Sequence, residues 1–214
     1  MVGGSFLANI LGVVLAVVVI LVSVILHELA HGFIAYKLGD NTAKDAGRLT
    51  LNPIKHIDPI FSVFVPMFLF LIKAPVFGGA KPVPVNSGNL KGKEWGMALV
   101  ALAGPVTNIL IALAAFLISF FLGSNGIVLE ISSYFLSINL SLAVFNLIPI
   151  PPLDGSRILY AIAPDGIRPI IREIEKYGLI IVYVLVALFG VQLSEMMFGI
   201  EKGIYQVFLW IVGL

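Results

Sequence analysis

Residues 25–35 read I-L-H-E-L-A-H-G-F-I-A and lie near the end of an almost unbroken apolar run that covers residues 6–36. This run predicts a membrane-spanning helix about 46 Å long at ~1.5 Å per residue. A helix of that length exceeds the ~30 Å hydrocarbon core of a bilayer and must tilt or protrude. His27 and His31 are four residues apart, so they share one face of the helix, one turn apart. Glu28 lies to the side of that face.

The pattern H-E-x-x-H is typical of a helix on which two histidines bind zinc and the glutamate serves as a general base. Two imidazoles at this spacing suit one Zn²⁺ ion with Zn–N bonds of ~2.0–2.1 Å. Glu28 can then hold a zinc-bound water without being a ligand. An ionisable side chain within a bilayer costs from ~2.5–3.5 to ~10 kcal/mol or more, so these residues need a partner, and a metal ion satisfies all three. The alternative is a helix end from which the histidines reach the headgroups.

The composition indicates an integral membrane protein. Of the 214 residues, 59% are hydrophobic and 12% are charged, whereas soluble domains have about 45–50% and ~25%. The formal net charge of +1 argues against a nucleic-acid-binding protein. The chain has no cysteine, which excludes disulfides, iron–sulfur clusters and thiolate zinc sites. No segment is long and polar enough for a separate soluble domain, so residues 1–214 are expected to form a single membrane-embedded domain.

The chain is predicted to be an all-α polytopic membrane protein, a bundle of about four to six membrane segments. After the first helix, the clear spans are residues 95–122, 127–148 and 178–193. Residues 60–77 are apolar but interrupted by Pro66 and Pro75, and the sequence leaves open whether they cross the membrane or re-enter it. The apolar tail at residues 203–214 is too short to cross easily. It is expected either to lie at the interface or to pack against the bundle.

Residues 78–86 read G-G-A-K-P-V-P-V-N and cannot be helical. In an extended chain, alternate residues direct their backbone groups to the same edge, so Pro82 and Pro84 leave one edge without N–H donors. Val83 and Val85 keep a complete set of backbone groups on the other edge. We therefore predict a short re-entrant or β-like segment, with a polyproline-like loop as the alternative.

A third metal ligand is expected from residues 146–155, N-L-I-P-I-P-P-L-D-G. The prolines end a helix at membrane depth, which is tolerated only where protein or a water-filled cavity surrounds the break. Two histidines and one carboxylate, with water in the fourth position, form a catalytic zinc site. Asp154 is the predicted carboxylate because the other candidates lie in polar loops. His56 could also be a ligand, but its charged neighbours favour a solvated loop histidine.

Three motifs together resemble the site-2 protease family of intramembrane zinc metalloproteases (peptidase family M50). They are H-E-L-A-H at residues 27–31, G-P-V-T-N at residues 104–108, and the N-x-x-P-x-P-x-x-D-G pattern at residues 146–155. The chain is similar to the minimal prokaryotic form without a PDZ or CBS domain. The resemblance implies one zinc ion per chain, held by His27, His31 and Asp154, with Glu28 as the general base.

The resemblance also implies a multi-pass protein of the cell membrane whose substrate is another transmembrane protein. It places Asn146 near that substrate, and Asn108 is a further candidate contact, although a buried asparagine can simply bond a neighbouring helix. The edge at Val83 and Val85 could receive an unwound substrate strand by β-augmentation. The rival hypotheses are a zinc-binding membrane protein without peptidase activity and a cation transporter. An intact Glu28 argues against the first, since a structural site needs no base.

Overall fold

The structure is a computed structural model that describes residues 2–71, 79–123 and 125–214. Within these ranges every regular element is helical and no β-strand forms, which confirms the all-α class. The α-helices are α1 (Val2–Lys37), α2 (Thr42–Asp45), α3 (Val65–Leu71), α4 (Lys93–Leu122), α5 (Gly126–Asn146), α6 (Asp154–Ile162), α7 (Arg168–Glu175) and α8 (Gly178–Ile211). Of residues 78–86, predicted to be extended, Gly78 lies outside the described residues, and residues 79–86 form neither helix nor strand.

Four helices of the described chain are long and apolar enough to cross a membrane. They are residues Ile10–Lys37 of α1 together with α4, α5 and α8. Their apolar faces lie largely on the outside of the bundle, as expected for a protein whose solvent is lipid. This confirms the prediction of a multi-pass membrane protein.

Helices α1, α4 and α5 form the centre of the bundle. The N–H of Lys91 donates to the carbonyl of Leu38 at 2.9 Å, so α4 begins where α1 ends and runs back along it. Helix α5 begins at Gly126, just after α4 ends at Leu122, and packs antiparallel to α4. Helices α1 and α5 are therefore parallel, and their carboxyl ends lie on the same side of the bundle.

The chain between α1 and α4 returns to the side that it left. Its described apolar part is a π-helix, Pro59–Phe64, followed by α3. The rest of the predicted segment, residues 72–77, lies outside the described residues. The Ser62 hydroxyl donates to the carbonyl of Gly79 at 2.7 Å, which brings the start and the end of the segment together. The described chain thus leaves and rejoins the bundle on the same side, and the ends of the first span and of residues 127–148 lie on that side.

Three polar residues of this connection are buried, which the sequence did not indicate. Asp40 is 0% exposed, Arg48 7% and His56 3%. His56 is therefore not the solvated histidine that its charged neighbours favoured, because its Nε2–H reaches the carbonyl of Thr50 at 2.8 Å. Each of the three residues forms a hydrogen bond with one end of the extended segment, residues 79–86, as described below.

Helix α8 is longer than predicted. The sequence placed the last span at residues 178–193, but the helix continues to Ile211 with a bend at Phe189. The polar stretch that seemed to end it contains Glu201, whose carboxylate accepts a hydrogen bond of 2.8 Å from Ser141 of α5. Beyond it, Phe208 is buried against Phe116 of α4. The tail thus packs against the bundle, one of the two arrangements expected for it.

Candidate metal centre

Three side chains from opposite ends of the chain converge on one point. Nε2 of His27 lies 2.9 Å from Nε2 of His31, and the Asp154 carboxylate oxygen Oδ2 lies 3.1 Å from the first and 3.3 Å from the second. All three atoms could ligate a single ion. The separations approach the edge of about 3.4 Å expected for a tetrahedron with ~2.0–2.1 Å bonds.

The hydrogen bonds of the two histidines indicate that the point where the three side chains meet suits a cation. Nδ1 of His31 lies 2.7 Å from the Val100 carbonyl, which only accepts hydrogen bonds, so Nδ1 carries the proton and Nε2 presents a lone pair. Nδ1 of His27 lies 2.6 Å from the amide oxygen of Asn108, which gives the same tautomer. The buried Oδ2 of Asp154 has no hydrogen-bond partner. Two imidazole nitrogens and a carboxylate oxygen, all with free electron pairs, form a donor set that zinc accepts.

Two structural elements bring these ligands together. The helical periodicity of α1 places His27 and His31 on one face, and Asp154 is the first residue of α6, directly after the proline-rich turn. At Gly155 a Cβ atom would lie 2.6 Å from the carbonyl oxygen of Ile148. Only glycine therefore allows the turn to fold back this closely.

Gly104 of α4 lies directly against the two histidines. A Cβ atom there would lie 2.5 Å from Nε2 of His27 and 2.6 Å from Cε1 of His31. The absence of a side chain lets α4 approach α1 closely enough for Val100 and Asn108 to reach the rings. This gives a physical reason for the glycine of the G-P-V-T-N motif.

Asn108 lies behind His27 rather than on an open surface. It is 0% exposed, its oxygen faces His27, and its Nδ2 donates to Asn139 of α5 at 2.8 Å. The structure thus differs from the expectation that Asn108 contacts substrate and agrees with the alternative that it bonds a neighbouring helix. The sequence did not reveal the contact with His27, because the approach of α4 to α1 is a property of the tertiary fold.

A cleft of about 290 Å³ opens beside the three ligands. Glu28 lines it, as do Val83, Val85 and Asn146, so the structure brings most of the predicted site residues to one place. Further lining residues are Met97, Pro152 and Arg157. Sequence reasoning missed Arg157, although it lies three residues after Asp154 on the same helix, a spacing that places both on one face.

Glu28 lines the same cleft as the three ligands and is bonded to the extended segment. Its Oε2 accepts a hydrogen bond of 2.7 Å from the backbone N–H of Val83, and Val83 is only 7% exposed. The N–H of Lys81, on the same edge, donates to the carbonyl of His56 at 2.9 Å. The edge predicted to be open is therefore partly occupied. Among the described residues, its remaining donor without a partner is the N–H of Val85.

The extended segment is fixed at both ends by the buried polar residues of the loop after α1. The Arg48 guanidinium donates to the carbonyl of Lys81 at 2.7 Å, and the N–H of Asn86 donates to the Asp40 carboxylate at 2.7 Å. Burial tends to raise the pKa of the Asp40 carboxyl, but the hydrogen bonds that it accepts from Thr42, Asn86 and Asn89 outweigh this and hold the pKa below its ordinary value.

Comparison with known proteins agrees with this geometry. The sequence profile of peptidase family M50 matches residues 122–189. YwhC of Bacillus subtilis (strain 168), a candidate zinc metalloprotease, is 40% identical over 178 residues, which cover 79% of this chain and 78% of YwhC. This chain belongs to peptidase family M50.

Other relatives named as zinc metalloproteases are similar over different lengths. Rip2 of Mycobacterium tuberculosis (strain ATCC 25618 / H37Rv), a candidate zinc metalloprotease, is 29% identical over 87% of this chain and 71% of Rip2. The zinc metalloprotease MJ0392 of Methanocaldococcus jannaschii is 32% identical over 68% of this chain but only 33% of its own length. No solved structure matches the chain. As a member of family M50 the protein is a zinc-dependent metallopeptidase, and the His-His-Asp donor set suits that metal.

Proposed function

We propose that this protein is an intramembrane endopeptidase that hydrolyses peptide bonds within or near the transmembrane segments of other proteins in the cell membrane. The observation that supports this most directly is the position of the donor set. His27 and His31 lie on α1, and their rings are held by α4, and both helices are long and apolar enough to cross a membrane. A soluble substrate would not require a site on such helices.

The residues divide into ligands and a base. His27, His31 and Asp154 would hold the zinc ion, which when bound lowers the pKa of water and polarises the scissile carbonyl. Glu28 is close to this set but outside it, with one carboxylate oxygen on the Val83 N–H. In this role Glu28 takes a proton from the attacking water and returns it to the departing amine.

Substrate binding would use the extended segment. A transmembrane helix hides its carbonyls in its own hydrogen bonds, so the scissile region must unwind before attack. The free N–H of Val85 can donate a hydrogen bond to a carbonyl of an unwound strand, which would bind by β-augmentation. Asn146 lines the same cleft and donates to the Leu142 carbonyl of its own helix at 2.9 Å, which leaves its amide oxygen for the other side of the strand.

Strand binding at Val83 would also affect Glu28. A substrate carbonyl that takes the Val83 N–H displaces the Glu28 carboxylate from it. The carboxylate is then available to the water at the moment when a peptide bond is in place. In the absence of substrate the same hydrogen bond keeps Glu28 occupied.

The test is cleavage by the purified protein in detergent or proteoliposomes. Candidate single-span membrane proteins are incubated with the enzyme, with and without a zinc chelator, and the fragments are mapped by mass spectrometry. We expect chelator-sensitive cleavage at bonds inside or next to the span. Cleavage confined to soluble loops would contradict intramembrane action, while zinc binding without any cleavage would favour a zinc-binding protein that is not a peptidase.

A further inference from the structure

A chain of buried amide and hydroxyl groups runs from His27 across three helices. Beyond Asn108, the Nδ2 of Asn139 donates to the Ser23 hydroxyl at 2.8 Å and to the Phe135 carbonyl at 2.8 Å. Ser23, Asn108 and Asn139 are each 0% exposed. The chain thus connects α1, α4 and α5 with no access to solvent.

We propose that Asn139 is a positioning residue of the metal centre. Held by the Phe135 carbonyl and supported by Ser23, it sets the direction of this hydrogen-bond chain and so keeps Nε2 of His27 free for the metal. The inference rests on the assignment of His27 as a zinc ligand. Neither residue touches the ligands, and both act through Asn108.

The direction of the chain is fixed by one group that cannot reverse. The Phe135 carbonyl only accepts hydrogen bonds, so it selects the orientation of Asn139 in which the NH₂ group faces it. The oxygen of Asn139 then faces Asn108, whose NH₂ group donates to it at 2.8 Å. The oxygen of Asn108 is left to face His27, where it requires a proton on Nδ1.

Without this constraint Asn108 could rotate by half a turn and present its NH₂ group to the ring. The two ends of an asparagine amide have nearly the same shape, so packing alone does not choose between them. The rotated form favours a proton on Nε2, the atom that faces His31 and Asp154. Such a ring cannot bind the metal until it changes tautomer. The Asn139–Asn108 bond prevents this because its reversal would leave buried polar groups unpaired.

The second histidine does not depend on the chain, which provides an internal comparison. Nδ1 of His31 bonds the Val100 backbone carbonyl directly at 2.7 Å. A carbonyl of the helix backbone cannot rotate. Changes at Asn139 should therefore affect His27 and leave His31 unchanged.

The experiment compares the unaltered full chain with Asn139→Leu, Ser23→Ala and the control Ser132→Ala. Ser132 is a buried residue of α5 whose hydroxyl bonds only carbonyls of its own helix, those of Val128 and Leu129. Zinc affinity is measured by competition with a chromophoric chelator. The tautomer of each histidine in zinc-free protein is read from ¹⁵N chemical shifts, with His56→Ala to assign one of the three histidines.

We expect Asn139→Leu to lower zinc affinity by about 10- to 100-fold, the range typical for groups that orient a ligating histidine. In this variant His27 should adopt the tautomer with the proton on Nε2, while His31 should keep its proton on Nδ1. Ser23→Ala should act in the same direction by about twofold or more, since Asn139 keeps its bond to Phe135. Ser132→Ala should match the unaltered protein.

The proposal is overturned if Asn139→Leu and Ser132→Ala have the same zinc affinity and the same His27 tautomer. If Asn139→Leu does not fold, Ser23→Ala decides by zinc affinity, and an affinity equal to that of Ser132→Ala then overturns the proposal. If the assignment of His27 as a zinc ligand were itself wrong, a different result would show it: His27→Ala would keep its full zinc content.

Discussion

The carboxylate of Glu28 and the backbone N–H of Val83 are joined by a hydrogen bond of 2.7 Å. This bond connects the helix that carries the two histidines with the extended segment proposed to bind substrate. The base and the substrate strand therefore compete for one donor. Changes to the backbone of residues 83 and 85 should affect catalysis without affecting the metal.

Proline replacements test this competition. Val85→Pro deletes the free donor and should reduce cleavage of a transmembrane substrate about three- to tenfold, from the loss of ~0.5–1.5 kcal/mol of hydrogen bonding. Val83→Pro should also reduce it, because the substrate strand loses the donor that it would take from Glu28. Zinc content should stay the same in both, as measured by metal analysis beside a fragment-release assay.

Alanine at the same two positions is the matched control, since it keeps the backbone donor and removes only side-chain packing. Val85→Ala should cleave nearly as fast as the unaltered protein. If the proline and alanine variants cleave equally well, residues 79–86 do not pair with substrate and selection lies elsewhere.

Glu28→Gln should retain zinc and lose cleavage. The amide oxygen of glutamine can still accept from Val83, so the local structure is preserved while proton transfer is removed. Zinc content and peptide release are measured on the same preparation. Loss of zinc from this variant would mean that Glu28 is itself a ligand.

Asp154→Ala should lower zinc occupancy strongly, whereas His56→Ala should not. The first change removes one of the three converging donors, and the second removes a ring that bonds the Thr50 carbonyl and no ligand. Metal analysis after dialysis against a weak chelator distinguishes them. Equal zinc content in Asp154→Ala and the unaltered protein would exclude Asp154 from the metal site.

Gly104→Ala should disrupt the metal centre because its new methyl group would lie 2.5 Å from Nε2 of His27. Overpacking of this kind typically costs ~1–3 kcal/mol, and here the atoms displaced are the ligands themselves. We expect reduced zinc affinity and a lower unfolding temperature. Gly190→Ala is the control, a glycine within α8 whose Cβ position contacts nothing within 4 Å, and it should be neutral. Equal behaviour of the two variants would show that α4 can move away from the histidines.

Asp40 predicts an acid limb in the stability of the protein. Its pKa in the folded protein lies below the ordinary value of 3.8, so its contribution is present above that value and is lost as the pH falls through the lower folded pKa. The thermal unfolding midpoint in detergent should therefore fall as the pH is lowered from about 4 through the folded pKa of Asp40. Asp40→Asn should be less stable at pH 7 and show a weaker pH dependence. If the unfolding midpoint falls equally at low pH in Asp40→Asn and in the unaltered protein, other carboxylates are responsible for the loss of stability.

The sequence was informative where polar residues interrupt apolar stretches. His27, His31 and Asp154 each lie in a segment that has few other charges, and burial of such groups requires a partner. That physical requirement predicted that these three side chains, although distant in sequence, lie close together in the fold. The spans themselves followed from apolar length alone.

Polar residues that lie in polar stretches were harder to interpret. The loop around His56 has the composition of a solvated connection, yet the His56 ring is buried with its Nε2 on the Thr50 carbonyl. The His56 carbonyl accepts from Lys81, which only the folded chain places beside it. The continuation of α8 past residue 193 was hidden in the same way, since Glu201 is satisfied by Ser141 from another helix. Which hydrogen-bond partner a group finds is decided by tertiary contacts that no local pattern contains.

The turn that carries Asp154 is supported by the last helix. A Cβ atom at Gly178 would lie 2.9 Å from the Pro151 carbonyl, and Val182 is 0% exposed in a cluster with Ile148 and Leu153. During synthesis the two histidines are thus made early, whereas the turn that carries their carboxylate partner gains this support only once α8 has been made. The growing chain would pass most of its synthesis without this support, so the complete zinc site is expected only near the end of chain production.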